Sequence, residues 1–115
     1  MSWDVYLSDD EHGVVQVPHH SEGGIHAFGG TDNAELNITY NYGRVYNDLL
    51  GGNIKEVLHG KIAADTTDLL QSVVDQLGTN QSSDYWDPTP GNAGHALSIL
   101  LSWAKLHPRA TWSVY

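Results

Sequence analysis

Hydrophobic and polar positions alternate at the start of the chain. Trp3, Val5 and Leu7 are separated by Asp4 and Tyr6, a period of two that predicts a strand over 3–7. The polar, acidic stretch 8–13 ends in a glycine and predicts a turn. A second strand is expected over 14–17, hairpinned to the first, with Pro18 ending it or marking an edge. Residues 19–33 are rich in glycine and predict loops, with 25–28 as a short strand at most. Stronger alternation follows over 36–42. Leu36, Ile38, Tyr40 and Tyr42 fall on one side of that expected strand; Asn37, Thr39 and Asn41 fall on the other.

The period then changes. Segment 43–50 reads as a short helix or an irregular turn closed by Gly51-Gly52, and 54–58 reads equally as helix or extended chain. Leu69, Leu70, Val73, Val74 and Leu77 form one helical stripe. They predict a helix over 66–77, capped by Asp65 or Thr66 and stopped by Gly78. A polar linker, 79–89, leads to a second helix over 90–106. Thr89 suits its N-cap, Pro90 its first turn, and Ala93, Ala96, Leu97, Leu100, Leu101 and Ala104 its buried stripe. Pro108 stops this helix, and 110–114 alternates as a closing strand. Strands, two helices and a strand predict an α+β two-layer sandwich: an antiparallel sheet of four to five strands, covered on one face by two main helices. The whole chain, 1–115, is expected to be a single domain.

Composition narrows the function. Fourteen Asp and Glu against five Lys and Arg give a formal net charge of −9. Phosphate backbones are bound chiefly by cations, so direct nucleic-acid binding is not expected; the charge favours solubility, as a solvated acidic surface, or a basic partner. The absence of cysteine removes disulfides and thiolate chemistry. No basic region followed by an apolar run stands at 1–4, and no apolar run approaches spanning length, so no signal peptide and no membrane association are expected; the expected location is cytoplasmic.

Candidate chemistry is sparse. Thr89-Pro90-Gly91-Asn92-Ala93-Gly94 opens a helix, where free N–H groups attract anions. The alternative is a capped helix start whose glycines permit close packing against the sheet; no P-loop lysine follows. His12, His19, His20 and His26 cluster near Glu22, but at no recognised metal spacing, so neither a metal nor another cofactor is assigned. His95, His19, Glu22, Asp87 and Tyr40 are acid/base candidates without a nucleophile elbow or an HExxH helix. Asn37, Thr39 and Asn41 form an expected polar sheet face. Together with Trp86 of the stretch 85–87, Gly91, Asn92 and His95, they make the candidate ligand-binding set.

Those same stretches carry a resemblance. Glu22-Gly23-Gly24, Gly29-Gly30-Thr31, the segment 34–42, the run 85–94, and Ala96-Leu97, Leu100-Leu101, Trp103-Ala104 and His107-Pro108 resemble a family of uncharacterised small single-domain proteins of bacteria and bacteriophages. The resemblance spans nearly the whole chain and brings no catalytic residue. It implies a single-domain phage- or prophage-type protein and brings no known activity. Together with the acidic composition and the lack of a catalytic signature, it leads to the expectation of a phage- or prophage-associated accessory binding protein that acts on a host protein in the host cytoplasm, as an inhibitor of a bacterial defence system. Two other readings stand beside it. One is a small-molecule or nucleotide binder, with a pocket at the Gly-rich loops and the N-terminus of the last helix. The other is a small metal-dependent hydrolase built on the loop histidines.

Overall fold

The computed structural model describes residues 1–11, 13–22 and 29–115. In chain order these form β1 (Ser2–Asp9), β2 (Gly13–Val14), β3 (Gln16–His20), β4 (Thr31–Asn33), β5 (Glu35–Thr39), a 3-10 turn (Tyr40–Tyr42), α1 (Gly43–Leu50) and α2 (Ile54–Leu58). A second 3-10 turn (Ala63–Thr66), α3 (Thr67–Leu77), α4 (Pro90–Leu106) and β6 (Thr111–Val114) complete the chain. The architecture is α+β, with a multi-stranded antiparallel sheet packed against two main helices, α3 with its 3-10 lead-in and α4. Among the described residues no helix is long and apolar enough to cross a membrane.

β1 is the centre of the sheet. β5 pairs along its first half, with Trp3 opposite Ile38, Asp4 opposite Asn37 and Val5 opposite Leu36. β2 takes over the same edge at Ser8, and β6 pairs the opposite edge from Val5 to Ser8. The switch from β5 to β2 occurs at Leu7, whose N–H donates to Ala34 O (3.1 Å) and whose carbonyl accepts from Val15 N–H (2.9 Å). There the chain leaves the sheet as the separate β3–β4 pair, with a register shift between Gln16 and His20. The expected second strand, 14–17, is therefore two pieces. Pro18 lies inside β3 rather than ending it, which an edge strand with a bulge tolerates. The expected short strand at 25–28 lies outside the described residues.

The alternation at 3–7 holds: Trp3, Val5 and Leu7 are buried with Leu36, Ile38, Trp112 and Val114 on the face that meets the helices. α4 is the core helix. Gly91 to Gly94, Ala96, Leu97, Leu100, Leu101, Trp103 and Ala104 are all buried. Thr89 caps it as expected, its hydroxyl accepting Asn92 N–H at 3.1 Å. Trp112 is fully buried, and its indole N–H is satisfied by Thr66 Oγ1 at 2.9 Å.

Three expectations fail locally. The strand over 36–42 stops at Thr39. Thr39 Oγ1 accepts Asn41 N–H (3.2 Å) and turns the chain into the 3-10 segment. Tyr40 is consequently exposed and Thr39 buried, so Asn37, Thr39 and Asn41 do not share a polar face. Thr66 occupies the N-cap position of α3, but the side-chain cap is missing, because the 3-10 turn runs straight into the helix and Thr66 Oγ1 instead donates to Ala63 O. Leu69 belongs to the α3 stripe by spacing yet remains exposed. The ambiguous segments resolve as helices α1 and α2, the latter closed by an Asn53/Glu56 capping box.

Candidate functional site

The linker 79–89 is where the candidate residues meet. Asn92, only 5% exposed, reaches out of α4 into it. Its Nδ2 lies 3.0 Å from Ser82 Oγ, 2.9 Å from Asp84 O and 2.9 Å from Asp87 O, and its Oδ1 accepts Ser82 N–H at 2.9 Å. With both polar atoms of the amide engaged, Asn92 is a staple for the loop rather than a free ligand-binding group. Gly91 and Gly94 serve the same packing. A Cβ on Gly91 would stand 1.8 Å from Asn80 O, and one on Gly94 1.9 Å from Gly78 O. The close approach expected of these glycines is thus real, but it is made to segment 78–80 and not to the sheet.

The stapled loop closes one edge of the sheet. The Tyr85 hydroxyl donates to Asn37 O (3.0 Å) and takes a bond from the backbone of Thr39, so these two outward-facing groups of β5 are satisfied. Burial pushes the Tyr85 hydroxyl above its ordinary pKa, and the Thr39 bond opposes that. The Tyr42 hydroxyl donates to Tyr85 O, and the Tyr46 hydroxyl to Ala93 O at 2.9 Å. Burial raises both tyrosines, which stay protonated as donors at any physiological pH. Asn41 Nδ2 donates to Trp86 O (2.9 Å), and Trp86 N–H donates to Asp84 Oδ1 (3.0 Å). The Trp86 ring stands edge-on to Tyr85 at 5.0 Å and is 53% exposed. Asp84 and Asp87, both exposed, flank it.

Beneath the loop lies a cavity of about 30 Å³ lined by Glu22, Asn37, Tyr42, Tyr85, Asn92 and His95, among others. It brings Asn37, Asn92 and His95 of the candidate set together; Thr39, Asn41, Trp86 and Gly91 do not line it. A space of this size holds about one water, whereas a small-molecule pocket needs roughly 300 Å³ or more. Asn37 also spends its amide locally, donating to Ser2 Oγ (2.6 Å) and Asp4 Oδ1 (2.8 Å).

Of the five acid/base candidates, His95 and Glu22 meet, at 3.3 Å. Tyr40 stacks on Trp3 at 4.6 Å, and Asp87 lends its carbonyl to Asn92. His19 pairs with Asp32 (2.5 Å) through Nδ1 and with Gly29 O (2.5 Å) through Nε2. Both partners are acceptors, so the protonated ring can donate to both, and in that form His19 clamps the β3–β4 pair. Its pKa is raised, first by the Asp32 hydrogen bond. His20 faces Asn33 O (3.2 Å) and accepts Glu22 N–H (3.3 Å). The histidines proposed as metal ligands therefore turn to different partners, and no metal-holding group of three occurs among the described residues; His12 and His26 lie outside them.

No protein-family model matches the chain, and neither the curated proteins nor the solved structures contain a match to it. The functional reading rests on the geometry.

Proposed function

We propose that this domain is a non-enzymatic binding protein that engages a basic surface of another protein through Trp86 and its acidic surround. The observation that carries this reading is a half-exposed tryptophan on a loop fixed at both ends. Asn92 and Asn41 hold the loop backbone, and Tyr85 is anchored on the sheet edge. A large ring already held in place loses little conformational freedom on binding, which is what makes tryptophan a recurrent energetic centre of interfaces. The sequence around it is acidic: Asp84 and Asp87 flank the ring, and no Lys or Arg occurs between Lys61 and Lys105.

The resemblance to bacterial and phage proteins supplies the setting. The partner would be a host protein, with inhibition of a defence system as the consequence, and the complex would form in the host cytoplasm. The filled amide of Asn92 and the water-sized cavity speak against a small-molecule site beneath the 79–89 loop, and the divergent histidines against the hydrolase. The test is affinity capture from bacterial lysate with the wild-type chain and with Trp86→Ala, analysed side by side. A partner retained by the wild type and depleted at least about tenfold by the variant supports the reading. A partner retained equally by both, or none above background, overturns it.

A further inference from the structure

The sheet face turned away from the helices carries side chains that neither the core nor the Trp86 loop uses. Asp4 and Tyr6 of β1, Glu35 and Asn37 of β5, and Ser113 of β6 share this face, since they alternate with the buried Val5, Leu36, Trp112 and Val114. Tyr115 lies beside Asp4, exchanging backbone hydrogen bonds of 2.8 and 2.9 Å with it. The Tyr6 and Tyr115 rings are 6.1 Å apart at 59°, and the His59 ring is 5.8 Å from Tyr115 at 73°. His59 is held there by accepting Val114 N–H on Nδ1 (3.0 Å). Tyr115 is 64% exposed, so the ring group opens to solvent.

We propose that this face is a second docking site, for an arginine side chain carried on a basic segment of a partner protein. Aromatic faces attract a desolvated cation, and the planar guanidinium both stacks on a ring and forks onto a carboxylate. Both elements are present. Glu35 is the cross-strand neighbour of Tyr6 and makes no hydrogen bond to the described residues. Asp4 has Oδ1 occupied by Asn37 and sits next to Tyr115.

No cation competes from within these strands. β1, β5 and β6 contain neither Lys nor Arg, and the chain has none before Arg44. A partner strand is not the assigned occupant, because backbone groups on both outer strands are already bonded. Tyr85 engages Asn37 O and the Thr39 backbone of β5. Gly60 N–H and Lys61 O hold the outer edge of β6 at Trp112, each at 2.9 Å. The site uses none of the Trp86 loop, so it stands or falls separately from the reading above.

The test is an NMR amide titration of the full chain with the blocked peptide acetyl-Gly-Arg-Gly-amide, and with the same peptide carrying uncharged citrulline. The arginine peptide should give saturable shifts confined to Asp4, Tyr6, Glu35, Ser113 and Tyr115, with a dissociation constant on the order of 1 mM. The citrulline peptide should give none. Tyr115→Ala and Glu35→Gln, both at solvent-accessible positions, should weaken binding about tenfold with an unchanged melting temperature, while Tyr6→Phe, which keeps the ring, should bind as the wild type does. Equal response to citrulline, shifts centred on residues 84–87 or 9–11, wild-type affinity in both weakened variants, or no shifts up to about 20 mM peptide would each overturn the assignment.

Discussion

Asn92 shows how one residue determines the shape of a functional loop. Its amide replaces water for Ser82, Asp84 and Asp87 in a place where water has little access. Asn92→Ala leaves those groups without partners and should lower unfolding stability by about 2–4 kcal/mol, measured by urea denaturation. Asn92→Asp keeps one acceptor but loses the donors, and should cost a comparable amount. At Gly91 the constraint is purely steric. The clash of an added Cβ with Asn80 O forces the loop off α4, and Gly91→Ala should destabilise by about 2 kcal/mol or more in the same assay. His19 supplies a residue-level pH effect. Its folded pKa lies above the ordinary 6.5, so the stabilisation of the β3–β4 pair by the protonated ring is full below that value. It is lost as pH rises through the raised folded pKa. An NMR titration of the His19 ring should find its midpoint above 6.5, and Asp32→Asn should bring it down; a midpoint below 6.5 in the wild type contradicts the clamp.

At the scale of elements, the edge of β5 depends on a side chain from a distant loop. Tyr85→Phe removes the hydroxyl from Asn37 O and should cost about 1 kcal/mol, with faster amide exchange at Thr39 than at Ile38. How far the elements could be read from the chain depended on whether one period or two ran through a segment. β1 and α4 carry a single unbroken pattern, and both are where alternation and the helical stripe predict them. Tyr42 belongs to two patterns at once. It continues the period-two run Leu36, Ile38, Tyr40, and it also begins the helical series Tyr42, Val45, Tyr46, Leu49, Leu50. In the folded chain the second series prevails: Tyr42, Tyr46 and Leu50 are buried, with Val45 and Leu49 packed beside them. The Thr39 turn and the Asn53-x-x-Glu56 capping box were legible signals for that outcome. The candidate site was legible in its residue types but not in their partners. Asn92 and Gly91 stand out in the sequence because a polar amide and two glycines open an apolar helix. That they serve segment 78–87 depends on contacts across the loop, which spacing along the helix does not encode.

At the scale of the molecule, the fold separates a packed side from a presenting side. α3 and α4 seal the apolar face of the sheet, while the 79–89 loop and the opposite face hold aromatic rings among carboxylates. With only five Lys and Arg, at positions 44, 55, 61, 105 and 109, against fourteen Asp and Glu, the chain carries a formal net charge of −9. Capture of a partner should accordingly weaken as salt is raised from about 50 to 500 mM, since rim charges are screened over a Debye length of roughly 10 Å at 0.1 M. The most direct measurement is site-specific photo-crosslinking in bacteria, with a benzoyl-phenylalanine in place of Trp86 and, as reference, in place of the exposed Asp75 on α3. The proposed function predicts one discrete protein adduct from position 86 and none from position 75. Adducts of equal yield from both positions, or none from position 86, would contradict it.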